Sequence, residues 1–173
     1  MDAGENIGVI QDPLLHFFEE NDSMIYTEAT NKALKLMCEK HRNQRDRSGL
    51  PYILHPFHVA EQMDDEESTV VALLHDIVED TNTTFEDLKE TGFSERVISA
   101  LRLMTREEGV DYYDYVKEIG KDPLARKVKI ADLEHNMQLE RLDVVREKDL
   151  KRLEKYRKCH EYLCELDRTT EEE

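Results

Sequence analysis

The segment LLHDIVEDTNTT, residues 73–84, decides how this chain is read. It leaves an unbroken apolar run, Val70 to Leu74, and turns at once to His75-Asp76 and then Glu79-Asp80. An apolar stretch of that kind belongs in a core, whereas an imidazole and several carboxylates beside a core are costly unless something neutralises them. The rest of the sequence has to supply that partner.

Working outward, the apolar spacing is helical. Ile25, Ala29, Ala33, Leu34, Met37 and Cys38 recur at helix intervals from Met24 to about Gln44. A turn-rich break, RDRSGLPY, covers residues 45–52, and His55-Pro56 opens a short helix running to about Met63. Asp64 or Asp65 suits the cap of a helix over 66–79, and Thr84 suits the cap of the next, which Gly92 ends. Ser94 and Asp122-Pro123 carry further start signals. The final helix, about Lys148 to Leu166, is dense in charge and is expected to pack a Leu150, Leu153, Leu163 face, with its polar side solvated. No segment alternates convincingly as a strand. The expectation is a compact all-α multi-helix bundle spanning residues 23–168, with an extension over 1–22 (a short helix near Leu14 to Phe18) and an acidic tail over 169–173.

Composition excludes several classes of function. The chain has 173 residues, 24 basic against 40 acidic, for a formal charge of −16. Such a balance argues against a nucleic-acid polymer as partner, since binding one requires basic surface. It also repels small anions, so a phosphate site here needs a metal ion or a local basic cluster. No leader pattern or membrane-length apolar run is present. Cys38, Cys159 and Cys164 lack paired spacing and read as reduced thiols of a cytoplasmic protein.

The candidate chemistry begins with His75 and Asp76. Neighbours on a helix differ by about 100°, so both reach one point only if it lies between them, as an ion can. Glu79 and Asp80 follow one turn later. Elsewhere, His55 precedes a proline at a helix start, and Asp132 and Asn136 sit one turn apart in VKIADLEHNM. His55, His75, Asp76 and Asp132 together form a mixed nitrogen and oxygen set suited to manganese, iron, nickel or zinc. Among the other polar groups, His41 reads as a hydrogen-bonded structural residue, and His58, His135 and His160 as surface groups or groups behind the site. Lys129 could face phosphate, while Arg126 and Lys127 are expected to be exposed. Tyr112, Tyr113 and Tyr115 could line a base pocket, though packing is the commoner use of such spacing.

Three blocks in this order, HRNQRDRSGLPYILHP, ALLHDIVEDT and VKIADLEHNM, resemble the HD superfamily. Within it the chain looks most like the hydrolase domain of bacterial bifunctional alarmone synthetase–hydrolases and the stand-alone small alarmone hydrolases, from about Thr27 to about Leu142. The resemblance implies one divalent ion, usually Mn²⁺, held by His55, His75, Asp76 and Asp132. It implies a catalytic role for Glu79 and Asp80, nucleotide contact by Asn136, and base contacts by Arg47 and Ser48. The reaction it implies is hydrolysis of (p)ppGpp at the 3′ side, giving pyrophosphate and GDP or GTP. One position departs: where those enzymes carry an arginine that stacks on the base, this chain has Asp46. That leaves open an adenine alarmone or another phosphorylated nucleotide as substrate, acted on by a nucleotidase or pyrophosphohydrolase. A non-catalytic nucleotide-binding module is a third reading.

Overall fold

A computed structural model describes residues 24–171; the expected extension, the helix near Leu14 and the last two residues lie outside them. Among the described residues the chain is helical, with a lone bridge between Arg45 and Pro51. Helix α1 spans Glu28–His41, α2 Leu54–Ala60, α3 Glu66–Leu74 and α4 Ile77–Asp80. Then come α5 over Phe85–Thr91, α6 over Glu95–Met104 and α7 over Tyr112–Gly120. Helix α8 covers Pro123–Met137, a 3₁₀ turn covers Leu139–Arg141, and α9 covers Glu147–Glu171. No described helix is long and apolar enough to cross a membrane.

The helix starts follow side-chain chemistry. Thr27, rather than Met24, begins α1, because Thr27 and Thr30 cap each other reciprocally and satisfy two free N–H groups. Asp65, Thr84, Ser94 and Asp122 each accept a backbone N–H as expected from their positions. The expected helix over 66–79 divides in two. Helix α3 ends at Leu74, Asp76 sits at φ −102° and ψ 0°, and α4 resumes at Ile77. The His75 ring bonds back to the Ala72 carbonyl at 2.7 Å, and this interaction accompanies the break.

Helices α3 and α8 form the centre. Helix α3 packs on α1, α2, α6 and α8, while α8 touches α2, α3, α6, α7 and α9. Every residue from Ser68 to Leu74 is buried. Burying the Val and Leu side chains of that run stabilises the fold by about 1.5–3 kcal/mol each. On α9 the buried apolar positions are Cys159 and Leu163, whereas Leu150 is 52% exposed, against the expected packing face. Leu150 lies in the first turn of α9. Arg126 is buried, not exposed, with its Nε donating to Asp167 at 2.8 Å and Nη1 to the Gly120 carbonyl at 3.0 Å. Lys127 is half-buried and bridges to Asp65 at 3.0 Å and to Asp64.

Asp122 fastens the N-terminus of α8. Its Oδ1 accepts the Ala125 N–H at 2.9 Å, and its two oxygens take both Nη groups of Arg96 on α6 at 2.8 and 2.9 Å. Burial pushes its pKa up, but the bonds from Arg96 and Ala125 outweigh it and hold the carboxyl below its ordinary value. Asp122→Ala is expected to lower stability by about 1–2 kcal/mol, and Asp122→Asn, which keeps a cap, by less. Because the folded pKa is depressed, this contribution is complete above the unfolded value of about 3.9 and is lost as pH falls through the folded one. Denaturant melts of wild type and Asp122→Ala between pH 7 and pH 3 check this, since the gap between them should narrow on the acid side.

Candidate metal and nucleotide site

The break after α3 places the polar cluster. It ends the apolar helix at Leu74 and turns His75 and Asp76 to the same side as His55, from the start of α2, and Asp132, from the middle of α8. His75 Nε2 lies 3.0 Å from Asp76 Oδ2 and 3.7 Å from Asp132 Oδ1. His55 Nε2 lies 3.1 Å from Asp132 Oδ1, 3.8 Å from Asp76 Oδ2 and 3.2 Å from His75 Nε2. Ligand atoms of His55, His75 and Asp76 all fall within 4.8 Å of one another, and Asp132 adds its Oδ1 against both imidazoles. Donors at about 2.0–2.2 Å from a common ion stand roughly 3–3.5 Å apart around it. The four groups named from sequence therefore converge with spacing and chemistry that fit a divalent cation.

Neighbouring groups hold each of these four side chains. Tyr52, from the GLPY loop, donates its hydroxyl to Asp76 Oδ2; burial first, and Asp76 second, raise its pKa, so it stays a donor. Lys129 Nζ donates to Asp132 Oδ2 at 2.7 Å, and Asn136 Nδ2 donates to Asp132 Oδ1 at 2.6 Å. Burial works against ionisation of Asp132, but Lys129 and the imidazoles prevail and keep its pKa well below normal. For Asp76, too, burial is outweighed by His75, and its pKa lies below the usual range. His75 is buried, yet Asp76 and Asp132 raise its pKa. Two ionised carboxylates thus draw positive charge to this point.

His135 sits directly behind His55. Their Nδ1 atoms are 2.6 Å apart. Burial, then His55 and Arg141, lower the pKa of His135 to about 3, so its ring is neutral and can accept the His55 Nδ1–H. That bond leaves Nε2 of His55 as the lone-pair nitrogen facing the cluster, the usual arrangement behind a ligating histidine. His58 also packs against His135, with ring centroids 4.5 Å apart and the planes tilted by 39°. His41 is structural: it is buried and bonds Gln44 Oε1 at 2.7 Å. His160 bonds Glu134 at 2.9 Å, away from the cluster.

A cleft of about 500 Å³ opens over these residues. Glu79 and Asp80, both exposed, lie on its wall. Glu79 Oε2 accepts the Arg106 N–H at 3.1 Å. Burial, then Asp76 and Glu79, raise the pKa of Asp80. Arg47, Ser48, Lys129 and Asn136, expected at the substrate, also line the cleft. Three of them are partly engaged: Ser48 Oγ donates to the Arg141 carbonyl at 2.7 Å, while Lys129 and Asn136 hold Asp132. Arg47 is 62% exposed and 3.5 Å from Asp149. Tyr112 and Tyr115 reach the wall, whereas Tyr113 is exposed at 41%.

The wall contains residues that sequence reasoning passed over. Arg106 precedes α7, and Arg152, Lys155 and Tyr156 come from the first turns of α9, a helix whose polar side was expected to be solvated. The i, i+3, i+4 spacing of the last three was the available signal for a shared face. Lys155 Nζ lies 4.1 Å from the Tyr112 ring centre. Burial, then Arg106, push the pKa of Lys155 down, as expected where cations crowd together.

A family model described as an HD domain matches residues 33–159. Over 142 residues the chain is 33% identical to the guanosine-3′,5′-bis(diphosphate) 3′-pyrophosphohydrolase of Aquifex aeolicus, covering 75% of this chain and 20% of that protein. It is 36% identical over 119 residues to the guanosine-3′,5′-bis(diphosphate) 3′-pyrophosphohydrolase MESH1 of Danio rerio, covering 61% of this chain and 66% of the other. This chain therefore spans about a fifth of the length of the Aquifex relative. A solved structure, described as a metazoan ortholog of SpoT that hydrolyses ppGpp, superposes with a TM-score of 0.66 at 22% identity over 86% of this chain and 98% of the other. That likeness is one of fold.

The contact between His135 and His55 predicts a separation of acceptor from volume. His135→Phe, which fills the space without an acceptor, is expected to weaken divalent-ion affinity about 10–100-fold, and His135→Asn, which restores a polar acceptor, to recover most of it. Calorimetric titration of Mn²⁺ into the apo variants measures this; equal affinity in both would show that packing alone matters.

Proposed function

The chain belongs to the HD-domain family, and on that premise we propose that it is a metal-dependent 3′-pyrophosphohydrolase of guanosine-3′,5′-bis(diphosphate), releasing GDP and pyrophosphate. The observation that carries this reading is the convergence of His55, His75, Asp76 and Asp132 at 3.0–3.8 Å beneath a cleft walled by cations. The named activity of the Aquifex and Danio relatives supports the choice of substrate. We place the activity in residues 23–168, in a cytoplasmic protein, with a small nucleotide as partner. The donor set, two imidazole nitrogens and carboxylate oxygens with no thiolate in the cluster, suits manganese, iron, nickel or zinc, and we take Mn²⁺ as the ion.

When bound, the ion supplies positive charge against the phosphoryl oxygens and lowers the pKa of water. The residues do the remainder. Hydrolysis at the 3′ position breaks the bond between the 3′ oxygen and its phosphorus and forms a new bond from water to that phosphorus. One proton leaves the water and one reaches the departing 3′ oxygen. Asp80 is the group we assign to the water proton, because its neighbouring carboxylates and partial burial make it a stronger base than an isolated aspartate. Glu79 is engaged with the Arg106 backbone and fixes the segment entering α7. Arg47, Arg152 and Lys155 lie where they can balance the phosphates.

Two measurements test this. His75→Ala is expected to remove divalent-ion binding and reduce turnover to background; retained ion and activity would end the proposal. Asp80→Asn is expected to lower kcat by about 10²–10⁴-fold with little change in ion affinity. In wild type the acid limb of kcat should lie higher than an unperturbed aspartate's, since the raised pKa keeps Asp80 protonated to higher pH, and this limb should vanish in Asp80→Asn. Product chromatography completes the test: pyrophosphate from 3′-diphosphates supports the reading, while orthophosphate from nucleoside monophosphates would make the protein a nucleotidase.

A further inference from the structure

We propose that a second cavity beside the cleft, walled by Arg146, Lys148 and Lys151, receives the 5′-phosphate chain of the nucleotide and favours longer chains. This rests on the pyrophosphohydrolase reading and adds a subsite to it.

The cavity has a volume of about 880 Å³. Its walls come from Arg47, from the segment after the 3₁₀ turn and from the first turns of α9. Arg47, Leu142, Arg152 and Lys155 line the cleft as well, so the two spaces share a wall. Neither the four metal-site residues nor Glu79 and Asp80 line the cavity. Beyond the shared wall it adds Arg146, Lys148 and Lys151, all exposed. Six cations thus face a space that has two carboxylates, Asp143 and Asp149. In a chain of 24 basic and 40 acidic residues, the usual ratio is inverted here.

The two carboxylates do not cancel these cations. Asp149 is buried, with Oδ1 3.5 Å from Arg47 and 3.2 Å from Arg152, and Oδ2 accepts the Arg146 N–H at 3.0 Å. Its charge is spent on the shared wall. Lys151 pairs with Glu147 at 2.7 Å, but both side chains are largely exposed, and such a pair is weak. The Arg146 guanidinium and the Lys148 ammonium have no ion-pair partner among the described residues. Like charges gathered in this way repel one another. Lys155 registers the crowding: burial first, then Arg106, with Lys129 and Arg47 adding to it, push its pKa down. A polyanion in the cavity relieves that repulsion.

The proposed substrate carries phosphates at two ribose positions. The 3′ pair belongs at the metal cluster, where the bond breaks, so the 5′ chain needs cations of its own. Arg47, Arg152 and Lys155 offer them in the cleft, and these are the residues continuous with the cavity. A chain passing them meets Arg146 and Lys148 next, and each added phosphate brings charge to a cation that lacks a partner. Long, flexible side chains on an open face suit a chain of variable length better than one fixed phosphate.

The experiment measures kcat/KM of the full chain with Mn²⁺ on guanosine 3′-diphosphates bearing one, two or three phosphates at the 5′ position. Wild type is expected to gain about 2–5-fold for each added phosphate, through KM rather than kcat. The double variant Arg146→Gln, Lys148→Gln should flatten this series. Lys158→Gln, which removes an exposed α9 cation outside the cavity, should leave it intact. Equal kcat/KM for all three substrates, or a series that survives the double variant, overturns the proposal. Adding GTP to the 5′-monophosphate substrate separates one chain from two ligands. Competitive inhibition agrees with a single nucleotide spanning both spaces, whereas activation assigns the cavity to a second nucleotide and overturns the proposal. Equilibrium binding of GMP, GDP and GTP reads the cavity without turnover, and affinity should rise with chain length in wild type but not in the double variant. Should no 3′-diphosphate be hydrolysed while that binding series holds, the hydrolase reading fails and the phosphate subsite stands.

Discussion

Asp132 carries a negative charge in the interior, and most of the site is arranged around that fact. It is 3% exposed and belongs to a central helix, so neither solvent nor movement can relieve it. Lys129 and Asn136 come from the same helix and take one oxygen each, while the imidazoles of His55 and His75 face Oδ1 from α2 and the end of α3. Removing any one of these partners would leave a buried charge undercompensated, a more damaging change than losing a surface ion pair. The same constraint makes the position useful, because an oxygen held ionised beside two imidazoles is ready to bind a cation.

The fold serves this arrangement through two central helices with opposite tasks. Helix α3 buries an uninterrupted apolar run and then stops, so its polar sequel leaves the core only where it meets the cleft. Helix α8 runs through the bundle and must carry polar residues inside; it does so by pairing them on its own face at i, i+3 and i, i+4. His135 uses the same device one step further back, holding the rear nitrogen of His55. Two of the four converging side chains are therefore set by packed helices and two by the tight break between α3 and α4, which fixes their geometry.

Much of this was legible in the sequence because the signals are local. Caps at Asp65, Thr84, Ser94 and Asp122 mark helix starts through residues within three positions of the bond they make. The four converging residues were legible through composition and the three-block resemblance, since spacing alone does not bring positions 55 and 132 together. Hidden from it were features decided by distant contacts. The interruption at Asp76 lies within a pattern that reads as a continuous helix. Arg126 looks like a surface residue until α9 lays Asp167 against it. Arg152, Lys155 and Tyr156 look solvated until the path after α8 brings α9 over the cleft.

Charge ties these levels together. A chain of formal charge −16 repels anions at long range, yet that repulsion is screened beyond about 8–10 Å at physiological ionic strength. What an anion would meet at the cleft is local. On one wall Arg47, Arg106, Arg152 and Lys155 are gathered from three separate stretches of chain. Asp149, buried at the start of α9, draws Arg47 and Arg152 toward itself at 3.5 and 3.2 Å, so an acidic residue helps to build the basic wall. Asp46 does the same for Arg141. Acidic residues here position cations instead of opposing the ligand, which is how an anion site can exist in so acidic a protein. The net charge then opposes long polyanions, whereas the gathered cations act on a compact anion over the short range that screening leaves them.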